Sequence, residues 1–311
     1  MSLTVRFLGT VASRPTVERG VSSLALIREG ETLLFDCGEG TQRQMMRYGI
    51  TFALDDIFIS HWHHDHFLGL LGLLRTLSLQ GRTDTLRIWG PRGGTRMLRQ
   101  AESLGAERLS FALEVTELSA GDTIKRAEYS LEPYTVQHRN AIALGYALVE
   151  RDRRGRFNVE GAREMGIPEG PLWGRLHRGE SVTTPDGREV SPGELVGPAR
   201  PGRTVVYTGD TRPCEATVEI ARGADLLVHE ATFGDEEAER AVETGHATAR
   251  EAADVAARAG VRRLVLTHVS ARYSRDTSEL EQQARIAFPA TTVARDGMEI
   301  DVPFVAEAGV P

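Results

Sequence analysis

The stretch SHWHHDHFLGL, residues 60–70, places four histidines and one aspartate within six positions: His61, His63, His64, Asp65 and His66. Neutral imidazole nitrogens and carboxylate oxygens bind zinc at about 2.0–2.2 Å, and a catalytic site leaves one position for water. So many donors from one loop cannot close around a single ion without strain, whereas two ions about 3.5–4 Å apart would use them. Further donors stand at matching places: His138 ends YTVQH, Asp210 follows VVYTG and His268 follows RRLVLT. Each alone is more commonly a turn or core residue. With the cluster they read as one donor set, and the two oxygens of Asp210 suit a bridge. His64 is the surplus member, expected to support the ligands from behind or to face solvent.

For such donors to converge, rigid elements must end beside one another. Near-alternating runs rich in β-branched and aromatic residues, LTVRFLGT, SSLALI, TLLFDCG, DDIFISH, TLRIWGP and YSLEPYTVQH, read as strands ending in a turn or a histidine. The second half repeats the habit in TVVYTGDT, DLLVHEATF, RRLVLTHVS and a closing TTVARDGMEIDVPFV. Helical spacing is present at 66–80, 93–104, 235–243 and 248–259, the last Ala-rich and stopped by Gly260. Strands with helices between them predict a layered α/β sandwich. A chain of 311 residues fits one sizeable body with an insertion.

The predicted insertion is 151–203, leaving 1–150 and 204–311 as the body. It is rich in Gly, Pro and Arg, holds ten Arg against eight carboxylates, and shows only short helical stretches near 160 and 172. Its composition fits equally a mobile surface loop with no partner and an arm whose guanidinium forks meet phosphates. The whole chain is 41% hydrophobic and 26% charged, and no apolar run approaches the roughly 20 residues of a membrane span. The opening MSLTVRFLGT enters strand-like alternation and does not read as a leader, so a cytoplasmic location with no membrane partner is expected. A net charge of −7 does not mark a nucleic-acid binder, although basic groups can still gather on one face. Cys37 and Cys214 stand beside acidic loops and not in a spaced framework, so free thiols are expected.

His61-x-His63-x-Asp65-His66 with the distant His138, Asp210 and His268 resembles the metal-binding set of the metallo-β-lactamase superfamily. Within it, the chain is similar to the short-form ribonuclease Z family of tRNA 3′-processing endonucleases. The resemblance runs from residue 3 nearly to the C-terminus: LGT at 8–10, FDCGEGTQRQM at 35–45, VQHRNAIALGYAL from 136, YTGDTRP from 207, HEATF from 229, GHATA from 245 and THVSARY from 267. EGPLWGRL in the insertion matches the family's Gly-Pro-containing flexible arm. Generic superfamily members share the metal motif but not HEATF, GHATA and the arm together.

The resemblance implies an αβ/βα sandwich with an inserted flexible tRNA-binding arm and two Zn²⁺ per subunit, Mn²⁺ being tolerated by the same donors. One ion would sit on His61, His63 and His138, the other on Asp65, His66 and His268, with Asp210 between them. A shared water, its pKa drawn down to about 7, would attack phosphorus in line. Asp65 would orient that nucleophile or accept its proton. His246 would protonate the leaving 3′-oxygen, with Glu230 keeping the imidazole charged against the lowering influence of the helix that begins just after it. Arg272 and Tyr273 would face the scissile phosphate or its neighbours, and Arg19, Gly170 and Pro171 would contact the substrate. The implied partner is pre-tRNA, cut after the discriminator nucleotide to leave a tRNA 3′-hydroxyl and a trailer 5′-phosphate. The implied assembly is a homodimer in which one subunit's arm grips the tRNA cut by the other.

The first loop departs from the family pattern. Many bacterial members carry Pro-x-Lys-x-Arg-Asn there, a motif tied to handling the tRNA 3′ end and to rejecting mature CCA ends. Here Pro15 and Arg19 remain while Val17 replaces the lysine and Gly20 the asparagine, and Lys125 is the chain's only lysine. The alternative reading is a phosphodiesterase or other hydrolase of the same fold acting on a small substrate, which would have no need of the arm. A further alternative is an RNA-binding protein that keeps the fold without catalysis, which a full set of ligands argues against.

Overall fold

The computed structural model describes residues 1–102 and 108–305. The chain divides into two compact units, Met1–Val149 with Arg203–Pro311, and Glu150–Gly202.

The larger unit opens with β1 (Leu3–Gly9), β2 (Ser23–Arg28), β3 (Glu31–Phe35), α1 (Thr41–Tyr48), β4 (Asp56–Phe58), α2 (His64–Phe67), α3 (Gly69–Leu79), β5 (Leu86–Pro91), α4 (Gly94–Glu102) and β6 (Leu113–Leu118). It continues through β7 (Ile124–Lys125), β8 (Tyr129–Thr135) and β9 (Leu144–Glu150). The smaller unit carries α5 (Val159–Glu164), α6 (Pro171–His177), β10 (Val182–Thr183), β11 (Glu189–Val190) and α7 (Pro192–Leu195). The larger unit then resumes with β12 (Thr204–Tyr207), α8 (Glu215–Ile220), β13 (Leu226–Glu230), α9 (Ala238–Thr244), α10 (Ala249–Ala259), β14 (Leu264–Thr267), α11 (Ser278–Ala287), β15 (Thr291–Val293) and β16 (Glu299–Asp301).

Two seven-stranded sheets result, ordered β16-β1-β2-β3-β4-β5-β6 and β15-β14-β13-β12-β9-β8-β7. Alternation explains why they face each other. In β1, Leu3, Val5 and Phe7 are buried while Thr4 and Arg6 are only partly so, and these three join Phe35, Phe58, Tyr146, Tyr207, Val228 and Val265 in the layer between the sheets. Phe35 stacks on Phe58 at 5.1 Å and meets Tyr146 and Tyr207 edge-on, so rings from both sheets interlock. The outer faces are covered by helices. Leu70, Leu73, Leu74 and Leu77 of α3 pack with Ile57 and Ile88, while Ala249, Ala252, Ala253 and Ala256 of α10 pack with Leu264 and Leu266 on the other side. Small alanines let α10 lie close to its sheet, and a Thr248–Glu251 capping box starts the helix. The α/β sandwich expected from the strand and helix pattern is the observed architecture.

Several elements differ from expectation. The closing TTVARDGMEIDVPFV is two strands in different sheets: β15 runs parallel to β14, and β16 runs antiparallel to β1. The turn between them needs Gly297, which has φ +81 and where a Cβ would stand 2.3 Å from the Tyr48 ring. The helix expected at 66–80 is broken at Leu68, and the one expected at 235–243 begins as a 3₁₀ turn, Asp235–Glu237. Positions 103–104 of the helix expected at 93–104 lie outside the described residues. β6, β9, α8 and α11 carried too little contrast between their faces to be marked as elements.

The smaller unit has its own core of Ala162, Ile167, Leu176, Val182, Val190 and Leu195. The expectation of a loop with little apolar order is corrected here. Each short element supplies one inward residue, and Ile167 comes from the loop after α5, so no periodicity in sequence reveals them. Asn158 caps α5 by accepting from Gly161 N, Pro171 opens α6, and β10 pairs with β11. Its arginines are largely paired within the unit: Arg163 with Glu169, Arg175 with Glu180 and Arg188 with Glu194.

Candidate metal centre and active site

The donors from both halves meet where strands of the two sheets end. His61, His63, Asp65 and His66 follow β4, His138 follows β8, Asp210 follows β12 and His268 follows β14. All except His63 are buried, with His61 and His66 fully so.

They fall into two groups joined by one residue. His63 Nδ1 lies 3.0 Å from His61 Nε2 and 3.1 Å from His138 Nε2. His268 Nε2 lies 3.4 Å from Asp65 Oδ2, and His66 Nε2 is 3.7 Å from the same oxygen. Asp210 turns Oδ2 toward the first group, 3.7 Å from His61 and 3.8 Å from His138. It turns Oδ1 toward the second, 3.3 Å from both His66 and His268.

Each buried imidazole is held by its other nitrogen. His61 Nδ1 contacts Ser60 Oγ at 3.0 Å, His66 Nδ1 contacts Asp36 Oδ2 at 2.7 Å, His138 Nδ1 contacts the Gly245 carbonyl at 2.9 Å and His268 Nδ1 contacts Thr232 Oγ1 at 3.0 Å. Metal-ligating histidines are oriented in this way. The backbone is strained to allow it: Ser13, Asp36, Arg139 and His268 all have positive φ. Gly245, at φ +76, offers its carbonyl to His138 where a Cβ would stand 2.4 Å from the Arg139 side chain, so only glycine fits.

The donor chemistry fits divalent cations. His66 Nε2 and Asp210 Oδ1 are buried without a hydrogen-bond partner, a costly state unless another group completes it. Burial, then the neighbouring His66, holds the His61 imidazole well below its ordinary range, as a neutral nitrogen ligand requires. Burial would raise Asp210, yet His268 and His66 keep its carboxyl well below the usual carboxylate range. Burial likewise opposes the charge on His66, yet Asp210, Asp36 and Asp65 hold its imidazole well above the usual range. A pocket that draws a proton so strongly onto a buried ring suits a divalent cation in that proton's place.

Beside this set, Glu230 is fully buried and accepts five hydrogen bonds, from Thr211 N, His246 Nδ1, Thr232 N, Thr232 Oγ1 and Ala247 N. The His246–Glu230 contact is 2.7 Å, and His246 Nδ1 is also 3.8 Å from Asp210 Oδ2. Burial would lower His246, but Glu230 and Asp210 push it up to about 9. The lowering expected from α10 is thus outweighed. Arg212 donates to the His246 carbonyl at 2.6 Å and to both oxygens of Glu251, fixing the turn that carries the imidazole.

The remaining candidates are placed differently. Arg272 and His246 line one cavity of about 430 Å³ with Arg14 and Arg240. Arg272 pairs with Glu237, and the Tyr273 hydroxyl donates to Glu236 and Glu237. Tyr273 therefore braces the 3₁₀ turn. The Arg19 guanidinium is taken up by Ser274 O, Thr10 Oγ1 and Ala294 O, so Arg19 anchors the first loop and offers little to a ligand. Gly170 and Pro171 open α6 in the smaller unit. His64 is exposed and its Nε2 lies 2.8 Å from the Ser13 carbonyl. Asp36, Ser60, Thr232 and Arg212 were not singled out from sequence. The one usable signal was the acidic residue at the end of β3, a strand that pairs with β4 and so ends beside the histidine loop.

Residues 182–269 match the beta-lactamase superfamily domain, and residues 3–154 match the family described as anti-Pycsar protein Apyc1. The fold is similar to that of human tRNase Z, short form, with a TM-score of 0.71 and 29% identity, covering 97% of this chain and 100% of that one. Ribonuclease Z of Myxococcus xanthus is 53% identical over 97% of this chain and 98% of its own length. Ribonuclease Z of Gemmatimonas aurantiaca is 62% identical over 99% of this chain and 98% of its own. Identity at that level from end to end places the chain in the ribonuclease Z family.

Proposed function

We propose that this chain is a metal-dependent endoribonuclease that removes the 3′ trailer of pre-tRNA, cutting after the discriminator nucleotide to leave a tRNA 3′-hydroxyl and a trailer 5′-phosphate. The observation that carries the metal requirement is Asp210, whose two oxygens face two separate groups of donors. The first group is His61, His63 and His138, the second Asp65, His66 and His268. Two Zn²⁺ per subunit suit these nitrogen and oxygen donors, and Mn²⁺ would be accepted by the same set. When bound, the cations supply an acidified water and positive charge for an in-line displacement at phosphorus.

The chain's own residues do the rest. Asp65, fixed by a 2.7 Å bond from Ser13 N, holds a carboxylate where the attacking water must be oriented or deprotonated. His246, kept charged by Glu230, is placed to give a proton to the departing 3′-oxygen, since an alkoxide leaves poorly. Arg272 lines the same cavity as His246 and offers charge to the scissile phosphate. The smaller unit, with Gly170 and Pro171, supplies a tRNA contact remote from the chemistry, and the working form is a homodimer. Among the described residues no helix is long and apolar enough to cross a membrane, which fits action on cytoplasmic RNA.

The test is cleavage of a 3′-extended pre-tRNA by metal-loaded protein, with product ends mapped to the nucleotide, beside the same transcript ending in CCA. One cut after the discriminator, absent from the CCA transcript, is expected. Hydrolysis of bis-(p-nitrophenyl) phosphate without any RNA cleavage would refute the substrate assignment.

A further inference from the structure

We infer that Arg14 is a substrate-binding residue that grips a backbone phosphate beside the scissile one. The inference rests on the RNA-cleaving reading above. RNA is a polyanion, so phosphates flanking the cut must lie near His246, and a guanidinium fork is the side chain best matched to them. Three guanidiniums line the cavity that His246 shares: Arg14, Arg240 and Arg272. Arg240 and Arg272 share the single carboxylate of Glu237, which offsets part of their charge and holds both side chains. Arg14 is exposed to the cavity and makes no side-chain hydrogen bond or ion pair among the described residues.

The rest of the first loop has no free cation to offer. Val17 is 97% exposed and apolar, Glu18 is tied to Arg275 at 3.1 Å, and Arg19 is buried in its own hydrogen bonds. Arg14, by contrast, stands on backbone tied to the metal-binding residues. Ser13 N donates to Asp65 Oδ2 at 2.7 Å, the Ser13 carbonyl lies 2.8 Å from His64 Nε2, and Ala12 N donates to the carbonyl of Val269, next to His268, at 2.9 Å. Ser13 adopts φ +62 to make these contacts. The histidine left over from the ligand count therefore has a use: His64 holds the loop from which Arg14 reaches the cavity.

The experiment compares native protein, Arg14→Ala and Arg14→Lys for kcat/KM on 3′-extended pre-tRNA across about 50 to 200 mM salt. A single-strand phosphate contact contributes about 0.7 to the slope of log kcat/KM against log salt. Arg14→Ala should lose about tenfold at the lowest salt and show a slope shallower by about 0.7, while Arg14→Lys keeps the native slope. An Arg14→Ala rate reduced equally at every salt would make the residue structural and overturn the inference, as would an unchanged rate. Native protein that cleaves no pre-tRNA would overturn the RNA-cleaving reading first, and this inference with it.

Discussion

Asp36→Asn tests whether the candidate metal ligands are set by the residues behind them. The Asp36 carboxylate is fully buried and accepts four hydrogen bonds: Oδ1 from Ser60 N at 2.7 Å, and Oδ2 from Ser60 Oγ at 2.8 Å, Tyr207 OH at 2.7 Å and His66 Nδ1 at 2.7 Å. Asparagine tolerates the left-handed backbone found here, φ +54, so the change isolates the side chain. Its carbonyl can keep the three donors at the Oδ2 position, which leaves its NH₂ against Ser60 N–H. One buried N–H facing another costs about 1–3 kcal/mol. The three surviving bonds also fall from charge-assisted to neutral at roughly 1 kcal/mol each, partly offset by relief from burying a charge. We expect a net loss of about 2–4 kcal/mol in urea unfolding of chelator-treated protein, a sizeable part of a typical domain's stability. Metal affinity, measured by chelator competition, should fall about 10- to 100-fold because His66 is no longer aimed. A variant that unfolds at the native midpoint and resists chelator as the native protein does would refute the reasoning.

Replacing Glu150–Gly202 by Asn-Gly, which with Arg203 makes a three-residue connection between the paired residues Val149 and Thr204, should leave the larger unit folded, with KM for pre-tRNA raised far more than hydrolysis of bis-(p-nitrophenyl) phosphate is slowed. Equal losses on both substrates would show that the insertion supports the fold. His246→Ala should slow RNA cleavage about 10²- to 10⁴-fold and the activated diester much less, because nitrophenolate leaves with little help from an acid; equal losses would exclude proton donation. Burial would raise Asp56, but hydrogen bonds from Arg87 and Trp89 hold its carboxyl below the ordinary range. Its stabilisation is therefore complete above the unfolded pKa of about 3.9 and fades as pH falls through the lower folded value. Asp56→Asn should cost about 2–4 kcal/mol at pH 7 and progressively less below about pH 4, read by denaturant midpoints across pH; a difference that stays constant into acid would count against the ion pairing.

The candidate donors stood out in sequence because residue type and position coincide: histidine or aspartate just past an apolar run is uncommon, and four such places, at 61–66, 138, 210 and 268, point to one volume. The sandwich was legible from alternation, which is strong where one strand face is buried and the other is not. The supporting shell was not, because its members look ordinary in sequence. Asp36 ends a strand like many acidic residues, and Arg212 gains meaning only when Glu251 and the His246 carbonyl are brought to it by the fold. Arg19 shows the converse: its place in a family motif gave no hint that Ser274, Thr10 and Ala294 close around the guanidinium. The insertion's core was hidden because its inward residues are single members of elements of two to seven residues.

The last strand in sequence pairs with the first, and the donors run from His61 to His268. During synthesis, the richest donor loop leaves the ribosome while two later histidines and Asp210 are still untranslated, and the first sheet lacks its β16 edge until almost the end. A chain abandoned before β14 therefore has His61, His63 and His138 beside Asp210 yet cannot close the second donor group, which needs His268. The second donor group is thus assembled only after β14 has been made, from residues about 200 positions apart in the chain.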